Sequence, residues 1–251
     1  MEYKLIYIVL FNFLVYLKIR YILPLYEKIG YIIINRWRKR MNKKEAILKV
    51  YNCIKKETAK KAISIELKKQ KTQLIDSKVG GTPYLPVGAE IPVDDDGRQL
   101  TLLAQINCEE LVGMEDYPQK GLLQFFILMD DCYGLDFDNQ NKQNTFRVVY
   151  HDSIDDNEGE ESFDDILEEI NDEISGCGNK IGGYPYFAQS DPREYDGLDV
   201  YDTLLLQIDS MDDYENGYIM WGDCGVCNFF INKDKLKNLD FSDVLYNWDC
   251  Y

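Results

Sequence analysis

Histidine is all but missing from this chain: His151 is the only one in 251 residues. Any Ser-His-Asp or Cys-His mechanism would have to run through it. Its place, at the end of TFRVVYH and before an acidic run, reads as a solvated strand terminus. Basic residues are scarce over most of the length. Residues 72–251 hold 10 Lys+Arg against 39 Asp+Glu, a net of −29, whereas residues 1–71 hold 18 against 5, a net of +13. A body that acidic repels phosphate backbones, which excludes nucleic-acid binding through it. Neither G-x-x-x-x-G-K-S/T nor G-x-G-x-x-G occurs, so no phosphate loop is encoded. The seven cysteines are an odd number with no even framework of spacings, which places the body in a reducing, cytoplasmic setting. One C-x-x-C, Cys224 to Cys227, stands without a second pair. A zinc site needs about four ligands, and a redox pair would open a helix rather than lie in a glycine-containing run. Both cysteines read as small buried thiols, and no metal or cofactor is expected.

Against these absences stands an apolar, basic head. LIYIVLFNFLVYL, residues 5–17, is broken only by Asn12 and followed by Lys18 and Arg20. A spanning helix needs roughly 20 apolar residues, and extension toward Ile34 meets Pro24, Glu27, Lys28 and Gly30. No small-residue cleavage site follows the run, which argues against a secretory signal. Three readings stay open for residues 1–40: an appended membrane or interfacial helix with RWRKR on the cytoplasmic side, an upstream extension with Met41 rather than Met1 as the true start, or a helix packed on the body. The domain then runs over 41–251. It opens on a helical pattern with Ile47, Val50, Tyr51 and Ile54 on one stripe, docked on a core.

The body repeats itself. KVGGTPYL at residues 78–85 returns as KIGGYPYF at 180–187, and Leu103, Gln105 and Ile106 of LTLLAQI return as Leu205, Gln207 and Ile208 of DTLLLQI. Both matches keep one offset of 102 residues. Two separated motifs in one register imply an internal duplication, with halves at about 62–150 and 174–251 packed around a shared core. Two copies are too few for a solenoid.

Each copy starts with a glycine pair, Gly80–Gly81 and Gly182–Gly183, that permits backbone angles closed to other residues. Such a loop is either a tight structural turn or a place where a ligand can approach the backbone. Gln105 and Gln207 sit in strands apolar on both faces, so their buried amides need partners; the glycine loop of the same half supplies them, making each glutamine a clamp. Lys78 and Lys180 either pair with the acidic body or contact an anionic group. Ile63, Ile65 and Leu67 alternate as a strand, GLLQFFILMD and TFRVVYH read as further strands, and Cys108 to Met114 reads as helical. Asp94, Asp95, Asp96 and Gly97 make a polar hairpin tip. In the acidic stretch 152–173, Phe163, Ile166, Leu167, Ile170 and Ile174 form a helical stripe behind a Ser162/Asp165 capping pair, which predicts an amphipathic helix.

Taken in order, SKVGGTPYLP, LAQIN, GLLQFF, NKIGGYPYFAQSDPR, LLLQIDS and WGDCGVCNFFI resemble the YwqG-like family of bacterial proteins of unknown function, over roughly residues 51–231. The resemblance implies an α+β fold, mostly antiparallel β, carrying the duplication, with the apolar head appended outside it. It brings no established activity. It also implies that the positions of Cys224 and Cys227 are choices of size, and that an immunity-like role is open. The expectation is a non-catalytic interaction domain that binds a basic protein partner. Its rival is a small-ligand protein or enzyme with a cleft between the glycine loops and the WGDCG strand, lined by Lys78, Lys180, Trp221 and Asp223.

Overall fold

The computed structural model describes residues 43–154, 162–173, 177–195, 197–213 and 217–251. The apolar head, Met41, Ile174 and the acidic residues 155–161 lie outside them. Among the described residues no helix is long and apolar enough to cross a membrane. The chain divides into two compact units, residues 1–58 and 59–251. The first is seen as helix α1 (Lys43–Thr58), whose last turn carries Lys55 and Lys56, a favourable sign for a helix C-terminus. Of its predicted apolar stripe, Ile47 and Tyr51 are exposed, and Val50 and Ile54 are half-buried.

The second unit is built almost entirely of antiparallel strands. In chain order they are β1 (Lys60–Thr72), β2 (Lys78–Val79), β3 (Thr101–Asn107), β4 (Leu122–Ile127) and β5 (Phe146–His151), then β6 (Ser162–Glu173), β7 (Lys180–Gly182), β8 (Thr203–Asp209), β9 (Met211–Asp213), β10 (Gly217–Ile219), β11 (Val226–Ile231), a short helix α2 (Lys233–Lys237) and β12 (Val244–Asp249). One sheet runs β2-β3-β4-β5 and the other β12-β11-β8-β7-β1-β6, with β9 and β10 as a separate hairpin.

The repeat read from two motifs extends through the whole unit. Strands β2, β3, β4 and β5 have the same neighbours as β7, β8, β11 and β12. Lys78 faces Gln105 as Lys180 faces Gln207, and Gln105 faces Gln124 as Gln207 faces Asn228. Even the irregularity is copied: the β3–β4 ladder skips Leu103 and the β8–β11 ladder skips Leu205, the same position 102 residues later. A bulge bends its strand and re-aims the side chains beyond it, so both halves turn their strands at the same point.

The copies meet on their first strands. Residues 60–72 map by the same offset onto 162–174, and β1 pairs with β6 antiparallel, Ile65 opposite Glu168 and Glu66 opposite Leu167. Since Ile65 corresponds to Leu167 and Glu66 to Glu168, these two pairs exchange under the repeat, and a local two-fold axis passes between them. Strand β1 also pairs with β7, adding itself to the other copy's sheet, and β2 lies beside β6 on the opposite side.

This pairing corrects the helix expected over the acidic stretch. The spacing of Phe163, Ile166, Leu167 and Ile170 fits a helical face, yet the segment is strand β6, with Ile170 opposite Ile63 and Ile166 opposite Leu67. Ladder pairing with β1 overrides the local preference. The predicted helix at Cys108 to Met114 is likewise only a 3₁₀ turn, Cys108–Glu110, followed by further turns.

The two sheets bury one core between them. Phe125 of β4 meets Phe229 of β11 at 5.0 Å, and Phe146 of β5 meets Tyr246 of β12 at 5.3 Å. Phe125 and Phe229 are equivalent residues, so the same side chain of each copy fills the centre. Loops then cross over to cover the outer strands: Tyr246 N of β12 donates to Gln140 O (2.9 Å), and Gln143 Nε2, before β5, donates to Phe241 O (2.6 Å). Covered edges are closed to pairing with other chains.

Gly182 shows how tightly the copies fit. Its φ is +73°, and a Cβ there would lie 2.5 Å from Met114 Cε and 2.8 Å from the Lys61 carbonyl oxygen. Gly182→Ala is expected to destabilise the fold by about 2–4 kcal/mol in denaturant unfolding. Gly88→Ala, at φ +83° with nothing within 4 Å, should cost only about 1 kcal/mol.

Candidate functional site

The glycine loops lie on the outer faces of the two half-sheets, each held down by buried amides. In the first copy Gln105 is fully buried. Its Oε1 accepts from Tyr84 N at 2.9 Å, while its Nε2 donates to Leu74 O and Asp76 O, both at 2.9 Å. In the second copy Gln207 Oε1 accepts from Tyr186 N at 2.7 Å and its Nε2 donates to Gly178 O at 2.7 Å. Tyr84 and Tyr186, and Asp76 and Gly178, are again 102 residues apart. Both glutamines thus bond corresponding backbone groups of their own half.

A second amide, not singled out in the sequence, completes each clamp. Gln124 of β4 donates through Nε2 to Tyr84 O (2.8 Å) and to Gln105 Oε1 (2.8 Å). Asn228 of β11 donates through Nδ2 to Tyr186 O at 2.9 Å. The backbone N–H and C=O of one tyrosine are thus both taken by the strands beneath. A third matched bond joins Asn107 N to Ser77 Oγ (2.8 Å) and Asp209 N to Asn179 Oδ1 (2.7 Å). Two glutamines or asparagines facing each other on adjacent strands were the available signal, since GLLQFF and VCNFF both carry an amide inside an apolar run.

The expected site residues are distributed as follows. Gly80, Gly81, Gly182 and Gly183 all have positive φ, between +71° and +75°, so both pairs are turns only glycine adopts readily. Gly81 is exposed, whereas Gly182 and Gly183 are buried against β1. Lys78 and Lys180 are buried to 0% and 1% exposure. The Lys78 ammonium donates to Gln73 O (3.0 Å) and Leu74 O (3.1 Å), and that of Lys180 reaches Cys177 O at 3.4 Å. Burial holds the Lys78 pKa below that of an ordinary lysine, partly offset by Asp76. Both lysines tie down the segment that precedes their glycine pair.

Trp221 and Asp223 lie elsewhere. Trp221 is buried in an aromatic cluster, 5.5 Å from Tyr133 and 6.3 Å from Trp248. Its indole N–H is buried with no hydrogen-bond partner. Asp223 sits in the exposed turn that follows, its carbonyl accepting from Tyr251 N at 3.4 Å. The glycine pairs themselves are separated by the β1–β6 strands, the first directly after β2, which lies beside β6, and the second at the end of β7, which lies beside β1.

His151 is corrected from a solvated terminus to a member of the clamp. It is half-buried, its Nε2 is 2.9 Å from Gln124 Oε1, and its ring stands edge-on to Tyr84 at 5.5 Å. Burial lowers its pKa, with Asp152 opposing. Among the described residues no group of three His, Cys, Asp or Glu could hold a metal ion. In the C-x-x-C, Cys227 is fully buried and its thiol pKa is pushed well up, while Cys224 is exposed at φ +57°. The two are not similarly placed, and the buried thiol is a poor nucleophile.

A duplicated, mostly antiparallel β protein with glycine loops clamped by strand amides is the class that fold and site define. The family model for a domain of unknown function (DUF1963) matches this chain twice, over residues 77–164 and 155–250, and the chain belongs to that family. Among curated proteins none matches it.

Three measurements check the site. Gln105→Leu and Gln207→Leu should each destabilise the fold by about 2–4 kcal/mol, because each leaves a tyrosine N–H and at least one carbonyl buried without a partner. The buried thiols set a pH dependence. Cys108 is pushed from 9.0 to about 12, chiefly by burial, and Cys227 is raised in the same direction. A raised folded-state pKa adds stability that is complete below the unfolded value and is lost as pH climbs from about 9 toward 12. Unfolding free energy should fall over that range, less steeply in Cys108→Ala. Iodoacetamide at pH 8 should label Cys224 in the folded chain and leave Cys227 unmodified.

Proposed function

We propose that the chain is a non-catalytic interaction module that binds a basic protein through its acidic surface. One observation carries this reading: eight of the ten basic side chains of residues 72–251 are already engaged within the fold. Lys78 and Lys180 are buried on backbone carbonyls. Arg98, Lys142, Arg193, Lys233, Lys235 and Lys237 each meet a carboxylate within 3.4 Å. With 39 carboxylates against 10 basic groups over residues 72–251, most of the acidic charge has no internal counter-ion and is available to a partner. The polar groups of the glycine loops, by contrast, point inward and hold the loops, which leaves little for chemistry on a substrate. The likeness to YwqG-like proteins and an immunity-like role, in which a cytoplasmic acidic protein neutralises a basic one, accord with this reading.

Attraction between exposed charges is screened by salt and acts mainly on encounter. The immobilised full chain should retain a basic protein, identified by mass spectrometry, and bind a lysine-rich polypeptide. Affinity for both should drop roughly tenfold or more from low to high ionic strength. Retention of no protein at low salt, or binding indifferent to salt, would overturn the proposal.

A further inference from the structure

The two copies of the clamp differ at one corresponding place. In the first, His151 ends β5 and fills the space beside Gln124, its Nε2 at 2.9 Å from Gln124 Oε1. The counterpart of His151 is Asp249, since Leu122 faces His151 as Val226 faces Asp249. A carboxylate donates nothing to an amide oxygen. Asp249 instead accepts from Ala188 N (3.0 Å), Gln189 N (2.7 Å) and Ser190 N (3.3 Å), and so pins the segment above.

Asn228 is left incomplete as a result. It is fully buried, and among the described residues its Oδ1 has no hydrogen-bond partner. The bond from Nδ2 to Tyr186 O fixes which end of the amide is the oxygen. Asn228 faces Asn247, two residues before Asp249 on the same strand, so Asn228 and Asp249 are diagonal neighbours on one face of the sheet. That is the relation of Gln124 to His151, which the imidazole bridges. Both side chains in the second copy are shorter than their counterparts, and neither supplies the donor that the imidazole supplies in the first. A buried acceptor without a donor is costly, and the group that would complete it is one that donates to an amide oxygen beside a carboxylate.

We propose that Asn228 Oδ1 and the Asp249 carboxylate form a receptor for a primary ammonium group, in the place the His151 imidazole occupies in the first copy. The segment roofing it, residues 186–190, passes from half-buried to exposed at Gln189 and Ser190, so solvent lies on the Asp249 side, from which a flexible aliphatic ammonium would approach. This deepens the acidic-surface reading and rests on it for the source of the group: a lysine of the basic partner. An ammonium satisfies both acceptors at once, and its charge favours it over water beside a carboxylate.

The test is a ¹H–¹⁵N NMR titration of the full chain with n-butylammonium chloride, with tetramethylammonium chloride as an ion of equal charge that has no N–H. Butylammonium should shift the Asn228 side-chain amide and the Gln189 and Ser190 amides saturably and leave the Gln124 amide in place; tetramethylammonium should not. Asp249→Asn, which removes the charge and keeps one of the two oxygens that hold the roofing segment, should weaken butylammonium at least tenfold, and Asn228→Leu should abolish the response. No shift, an equal shift with both ions, or an ordered water that butylammonium does not displace overturns the receptor. Lysine-rich polypeptide binding that Asp249→Asn leaves unchanged overturns it too, while leaving the acidic-surface reading intact. Butylammonium binding here by a chain that binds no basic polypeptide supports the receptor and removes the acidic-surface reading instead.

Discussion

Each half of this protein hangs on one hydrogen bond, the backbone N–H of a tyrosine given to a buried glutamine amide. Two left-handed glycines reverse the chain just before Tyr84 and Tyr186, and a chain so turned cannot satisfy its own backbone groups. The strand below supplies the acceptor from Gln105 or Gln207, and the next strand supplies a donor from Gln124 or Asn228. In a low-dielectric layer these bonds gain strength and become expensive to lose. The loop is therefore rigid because the sheet under it is polar at these points and apolar elsewhere.

That arrangement decides where charge can go. The polar side chains that sequence conservation of type between the halves singles out, Lys78, Lys180, Gln105 and Gln207, face the protein's own backbone. Among the described residues the carboxylates, Asp94 excepted, are left half-buried or exposed. The duplication supplies a further constraint, because the copies are joined through β1 and β6 about a local two-fold axis, and β1 continues into the second copy's sheet. The second half's sheet is therefore completed by a strand of the first. Tyr117 of the first half reinforces this by donating to Leu204 O of the second at 2.5 Å.

Duplication also lets one copy drift while the other stays closed. His151 completes the first clamp; Asp249, at the corresponding place, caps the roofing segment and leaves Asn228 with an unused oxygen. The framework is common to both halves, so a difference at this one place alters local chemistry without altering the fold.

Much of the architecture was legible in the residues alone, because a repeat is a pattern and needs no coordinates. The common offset of KVGGTPYL and KIGGYPYF, and of Gln105 and Gln207, determined the duplication, the strands β3 and β8, and the glutamine clamps, since a buried amide in an apolar strand has to find backbone partners nearby. What only the tertiary structure decided depends on pairing between distant segments. The spacing of Phe163, Ile166, Leu167 and Ile170 satisfies a helix locally, and a 102-residue-distant strand makes it β6. His151 reads as a solvated end until β4 brings Gln124 against it, and Asn228 reads as one polar residue in VCNFF until Tyr186 and Asp249 are set around it. Local sequence encodes periodicity and turn chemistry; it does not encode which strand lies alongside, and side-chain partners across a sheet follow from that choice.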